Sequence, residues 1–243
     1  CCFADLHLKQ QGVIEDFQLL FYIIQPPTPE RVKYDIFDRV NRGGTPLNKQ
    51  EMRNALYRGR CTRMLDKLCC SPEFLIATGR SINKERMKDQ YVVLRAIAFL
   101  MLHRGEFKDI PALQYRGDID DFLARFMVYV NDNAPEKLIV DYENLFIRCM
   151  QISYDLLGEN GFRFSGNGIR RPINMPLFEA LSYLFSFVPE KIDYTWASRL
   201  ILDIESVKEE FDDSRYFSGN IDSTTSVSFR FDRMDKIINR IQL

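Results

Sequence analysis

Histidine is almost missing from this chain of 243 residues: His7 and His103 are the only two, and they stand far apart. The six cysteines, Cys1, Cys2, Cys61, Cys69, Cys70 and Cys149, form no C-x-x-C pair. Zinc-type ligand spacing is therefore absent, and two isolated histidines cannot supply an HNH-type nuclease centre. No glycine-rich loop runs into Lys-Ser or Lys-Thr, and no Gly-x-Ser-x-Gly elbow occurs, which excludes a P-loop and an α/β-hydrolase site. Neither sign of charge is in excess: 33 Lys and Arg stand against 34 Asp and Glu, for a net charge of −1. A chain-wide basic surface for duplex DNA is thereby excluded, although a local basic site is not. The longest apolar run, Tyr91 to Leu102, contains Arg95 and is far short of the roughly 20 residues that span a bilayer. It reads as a buried helix, so no membrane association is expected. No repeat of solenoid length is present. With no secretory pattern in view, reduced, mostly buried thiols and a cytoplasmic location are expected.

What is present is a core-forming composition, 46% hydrophobic, enough for one large domain or two small ones. Leu6, Leu8 and Ile14 predict a short helix or loop at the start. Phe17 to Gln25, FQLLFYIIQ, is a continuous run of β-formers ended by Pro26-Pro27, and it predicts a buried strand. Thr28-Pro29-Glu30 is a helix start with proline at the first helical position, and Val32, Ile36, Phe37 and Val40 give that helix one apolar face. Beyond Gly59 the pattern is helical throughout. Helices are predicted over Thr62–Cys70, from Ser71-Pro72-Glu73 to near Gly79, over Lys84–His103, through Ile119 to Val130, over Glu136–Leu157, from Asn174 or Met175 to Val188, over Thr195–Asp212, and through Phe231 to Ile241. The fold class is thus mainly α: a short α/β remnant over 1–60, then a multi-helix bundle over 61–243.

The most informative stretch is Phe37 to Tyr57, FDRVNRGGTPLNKQEMRNALY. A helix ends near Arg39 and Asn41, and Arg42-Gly43-Gly44 breaks it, the first glycine being a natural left-handed stop. Thr45-Pro46 restarts the chain. Asn48 then caps a second helix, with Glu51 as its capping-box partner and Met52, Ala55 and Leu56 turned inward. Exposed backbone amides, a positive helix end and Arg39, Arg42 and Arg53 together form a combination that can hold a phosphate. The same pattern also describes an ordinary helix–turn–helix connection with solvated arginines.

The segment IFDRVNRGGTPLNKQEMRNALYRG resembles the second signature of the DUF-262 family (a domain of unknown function), which includes the S-part of GmrSD-type restriction enzymes and related anti-phage proteins. Phe37, Asn41, Gly43, Gly44, Leu47, Glu51, Arg53 and Ala55 carry the resemblance, and RMKDQYVVLRAIAFLM extends it to about residue 102. The Asn41–Leu47–Glu51 spacing is also similar to a segment of ParB-like nucleotide-binding domains. The resemblance implies a ParB/sulfiredoxin-like fold for residues 1–60, binding and hydrolysis of a nucleoside triphosphate, and nicking of DNA in phage defence. It implies that Asn41 holds a magnesium ion and phosphate with Arg39, Gly43 and Gly44 beside it, while Leu47, Glu51 and Arg53 serve structure. The family's other signature, an Asp-Gly-Gln-Gln-Arg run, is not in this sequence. On this reading the chain is a piece of a longer protein, its pocket shared with the missing front. DNA, a nucleotide, a partner protein or a second copy are the partners implied.

Other features read more plainly. Arg95 in an apolar helix requires a carboxylate partner and is expected in a structural ion pair. Gly158 to Pro172, GENGFRFSGNGIRRP, is the clearest loop; Arg170-Arg171 with Phe162 and Phe164 offer a phosphate or single-strand contact, or a solvated loop with the two phenylalanines held in a short strand. Arg230, Arg233, Lys236 and Arg240 predict a solvated basic helix face, and Asp120-Asp121, Glu209-Glu210 and Asp212-Asp213 predict exposed charge. The alternative to the nucleotide reading is therefore a helical interaction or regulatory module without chemistry of its own.

Overall fold

Ten helices carry the architecture among the residues that the computed structural model describes, which are 2–21, 23, 32, 36, 39, 46–166, 170–189, 191 and 193–241. The chain falls into two units, Cys1–Pro46 and Leu47–Leu243. In the first, α1 spans Leu8–Glu15 and is capped by His7, whose ring accepts from the Lys9 amide. Val32, Ile36 and Arg39 are helical and exposed, so the inward face expected at Val32 and Ile36 is not covered. The buried strand expected over Phe17 to Gln25 is not supported: none of the described residues, which include 17–21 and 23 of that run, is in a strand. Phe17, Leu19, Leu20, Phe21 and Ile23 are instead 66–81% exposed. A strand exists only as part of a ladder, because its backbone amides and carbonyls need partners, and no described segment supplies one.

The second unit contains α2 (Lys49–Leu56), α3 (Arg60–Cys69), α4 (Pro72–Ala77), α5 (Lys88–His103), α6 (Ile119–Asp132), α7 (Glu136–Leu157), α8 (Met175–Phe185), α9 (Tyr194–Asp212) and α10 (Thr224–Ile241). Helix α2, grouped by its sequence with the first sixty residues, packs within this unit against α5. Local signals set the ends. Ser71 accepts from the Phe74 amide at 3.3 Å with Pro72 at the first helical position; Asn174 accepts from the Leu177 amide at 3.0 Å, and Asp193 from that of Trp196 at 2.7 Å. Such caps satisfy amides that otherwise lack a helical partner.

Helices α5 and α8 form the centre. Residues Val92 to Met101 of α5 are all buried, as are all those of α8 from Pro176 to Phe185. A helix apolar on every side needs neighbours all round, and here α5 has α3, α6 and α8, while α8 has α5, α7 and α10. Phe99 lies at the hub, with the rings of Tyr115, Phe122 and Phe231 at 5.1, 5.3 and 5.7 Å. In α7 the buried stripe runs through Ile139, Tyr142, Phe146, Cys149 and Met150; Leu138, Leu145 and Ile152 lie at its edge. Phe162 and Phe164 are buried, Phe162 against Phe178 at 4.3 Å, in irregular backbone and not in the short strand expected. Of the described cysteines, Cys61, Cys69 and Cys149 are buried, Cys2 and Cys70 exposed. Among the described residues no helix is long and apolar enough to cross a membrane.

Candidate functional site

Helix α2 opens on the motif that the sequence singles out. Asn48 is its N-cap, and its Oδ1 accepts from the amides of Gln50 at 2.8 Å and Glu51 at 2.9 Å. Glu51 reciprocates through Oε2, which accepts from the Asn48 amide at 2.6 Å, completing the capping box that the spacing predicts. The same Asn48 reaches outward through Nδ2 to the Arg86 carbonyl at 2.7 Å. Arg86 and Met87 are both left-handed, with φ of 56° and 57°, a conformation that costs an L-residue about 1–2 kcal/mol. Their strain is held from α2. Arg86 donates to Glu51 at 3.0 Å, and Asn54 donates to the Met87 sulfur at 3.1 Å. The Arg86 guanidinium and the Asn48 amide keep the Glu51 carboxyl below its ordinary pKa.

Arg53, expected beside the turn, is buried within the second unit. It is 1% exposed, donates to Asp120 at 2.8 Å and to Gln50 at 3.0 Å, and lies over the Tyr91 ring at 5.4 Å. Lys49 also pairs with Asp120. Burial alone would raise the Asp120 pKa, but the two cations outweigh it and hold the carboxyl below its usual range. Arg53 and Glu51 are thus both engaged within the second unit, and Leu47 is half-buried just before the cap. Arg39 is exposed in the first unit. Asn41, Gly43 and Gly44, which the resemblance marks for magnesium and phosphate, lie outside the described residues, as does Arg42. Among the described residues, no three His, Cys, Asp or Glu side chains converge as metal ligands.

Arg95 has its carboxylates. Its Nε donates to Glu179 and its other end to Asp222 at 2.6 Å, with the Tyr91 hydroxyl at 2.9 Å. Burial disfavours its charge, but the two carboxylates more than offset this and raise its pKa well above the ordinary value. Glu179, itself 0% exposed, takes a second guanidinium from Arg230 at 2.5 Å. Arg230 also donates to the Ile221 carbonyl at 2.7 Å. This corrects the expected basic face of the last helix: Arg230 is fully buried, while Arg233 pairs with Glu210 and Arg240 with Asp203. The acid pairs are engaged as well, Asp121 with Arg125 and Asp212 with Arg171. Sequence reading found Arg95 and missed Glu179, although a lone carboxylate inside MPLFEALSYLF carries the same signal.

Compared with known protein families, curated proteins and solved structures, the chain matches none.

Proposed function

We propose that this chain belongs to a protein of the DUF-262 kind, in which the Asn41–Gly44 turn forms part of a pocket for a nucleoside triphosphate. In this reading the pocket belongs to a ParB/sulfiredoxin-like domain completed by an Asp-Gly-Gln-Gln-Arg segment that this sequence does not contain. Asn41 would help hold a magnesium ion, which would supply charge neutralisation at the phosphates. The Gly43 and Gly44 amides line the phosphates, with Arg39 at their edge. Hydrolysis and DNA nicking in the cytoplasm are the activity of the whole protein, and the helical unit is its scaffold. The observation that carries the reading is the anchoring of α2. Asn48 caps that helix and ties it to the strained Arg86, and Arg53 fastens it to Asp120, so the residues after the turn are held as a preorganised site requires.

A second reading, a helical interaction module without chemistry, is favoured by where the polar groups go. Asn48 already occupies the Gln50 and Glu51 amides, and Arg53 is directed into the core. Magnesium-dependent binding of nucleoside triphosphates, measured by calorimetry on the natural full-length protein and on its Asn41→Ala variant, separates the two. Binding that disappears in a variant of unchanged thermal stability supports the pocket. A well-folded protein that binds none of the four common triphosphates sinks it.

A further inference from the structure

The loop after α7 and the face of α9 enclose a cleft of about 610 Å³ in the second unit. This volume falls within the range of small-molecule sites, roughly 300–1,000 Å³. Its charged lining consists of Glu159, Arg163, Arg170, Arg171, Glu205 and Lys208. Arg163 is the unusual member. It is 5% exposed, yet its partners are the carbonyls of Thr78 at 3.2 Å and Glu159 at 3.3 Å, the carbonyl of Arg171 and the hydroxyl of Ser81. Among the described residues no carboxylate pairs with it. A buried charge ordinarily has a counter-charge; Arg95, Arg53 and Arg230 all do. Burial and the neighbouring Arg170 lower the Arg163 pKa, with Glu159 only partly opposing them.

The other cations are positioned around it. Lys208 is also 5% exposed, its Nζ donating to Glu205 at 3.0 Å and to the Asn160 carbonyl at 3.4 Å. Arg170 donates to Glu159 at 2.8 Å, and Arg171 pairs with Asp212 beneath the edge of the cleft. The Arg170 guanidinium rests on Gly79, whose φ is +59° and where any Cβ would collide with it. The three acids hold their cations through side chains that are 32–53% exposed, and the two pairs whose arginines are exposed as well, Arg170–Glu159 and Arg171–Asp212, are worth little in water, about 0–1 kcal/mol. They can release their cations to a stronger anion. Phosphate is that anion, because planar guanidinium forks match its oxygens and an ammonium adds a point charge.

We infer that this cleft binds the phosphate group of a small phosphomonoester, with Arg163 as the fixed buried charge and Arg170 and Lys208 as the groups that close on it. The inference does not rest on the nucleotide reading.

Titration of the full chain at constant ionic strength with inorganic phosphate, then with glycerol phosphate, by calorimetry and by phosphorus NMR, tests this. Saturable binding at one site is expected. Arg170→Gln and Lys208→Met should each weaken it about tenfold, the worth of one charge-assisted contact. Glu159→Gln, which removes a competing carboxylate, should tighten it. Tighter binding of glycerol phosphate than of inorganic phosphate identifies an esterified ligand; the reverse order limits the site to the free ion and overturns the phosphomonoester assignment. Circular dichroism of each variant excludes loss of fold. The inference is overturned by the absence of saturable binding to the folded chain, by binding that the variants leave unchanged, or by affinity confined to oligonucleotides with steep salt dependence.

Discussion

Replacing Glu179 by Gln removes one charge from the centre of the second unit while leaving its volume almost unchanged, so no cavity accompanies the change. Glu179 is the shared partner of Arg95 and Arg230, and all three are at most 1% exposed. In the variant Arg95 keeps Asp222, but Arg230 keeps only neutral partners, the Ile221 carbonyl, the new amide oxygen and the Phe99 and Phe231 rings, and becomes a buried cation without a carboxylate. Breaking a buried pair by removing one partner costs about 3–5 kcal/mol, a large part of the roughly 5–15 kcal/mol that holds a domain folded. For a unit of this size each kcal/mol lowers Tm by about 2–4 °C, so a fall of roughly 6–20 °C is expected. Urea denaturation followed by circular dichroism, at unchanged m-value, gives the free energy directly. A triple variant sharpens the test. Glu179→Leu combined with Arg95→Met and Arg230→Met removes all three charges together and should recover most of the loss, because apolar replacement of a whole buried ion cluster is often neutral or better. Asp222, whose side chain is 26% exposed, then turns to water. A loss below about 1 kcal/mol for Glu179→Gln, the range of surface pairs, would refute the reasoning.

Two further predictions rest on single side chains. His103 stacks on Phe231 at 3.6 Å, its Nε2 is buried with no partner among the described residues, and burial together with Arg230 pushes its pKa down to about 3. The unfolded chain takes up that proton near pH 6.5 and the folded one only near pH 3. The neutral ring's contribution is therefore complete above the unfolded value and is lost as pH falls through this window, by up to about 1.4 kcal/mol per pH unit. His103→Phe should flatten the stability profile between pH 6 and 4 by that slope, and parallel profiles for the two proteins would contradict the assignment. Asn48→Ala removes both the α2 cap and the bond that holds the left-handed Arg86, so a loss of about 1–2 kcal/mol is expected, with faster amide exchange at Gln50 and Glu51. Unaltered exchange at those two amides would show that the cap is not what holds the helix start.

Helix positions were legible because their causes are local. The Ser71-Pro72 start, the proline before Glu136 and the Asn48–Glu51 spacing each place a boundary within a few residues, and the apolar rows of α6, α7 and α9 announce which face is covered. The α7 stripe shows the limit: the sequence predicts Leu138, Tyr142, Leu145, Phe146, Cys149 and Ile152 as its inward row. Periodicity gives a face only to within about one residue's rotation, and packing against α4 and α8 buries Ile139 and Met150 while Leu138 and Ile152 stay at the edge. The Phe17–Gln25 run failed for a different reason. Its composition records a preference for extended backbone, but a strand also needs a neighbour, and composition says nothing about whether one is there.

For the candidate sites the division is sharper. Sequence alone placed Arg95 in the core, marked Arg170-Arg171 as a basic loop and found the cap of α2, because each depends on a residue and its near neighbours. Only the tertiary structure decided that Arg53 turns inward to Asp120, that Arg230 leaves its basic face to share Glu179 with Arg95, and that Arg163 is buried without a carboxylate. Those outcomes join residues separated by tens of positions in sequence, and the pairing of charges across such distances is a property of packing. The chain could state that a buried arginine must be compensated; the fold determined by whom, and left one of them to be compensated from outside.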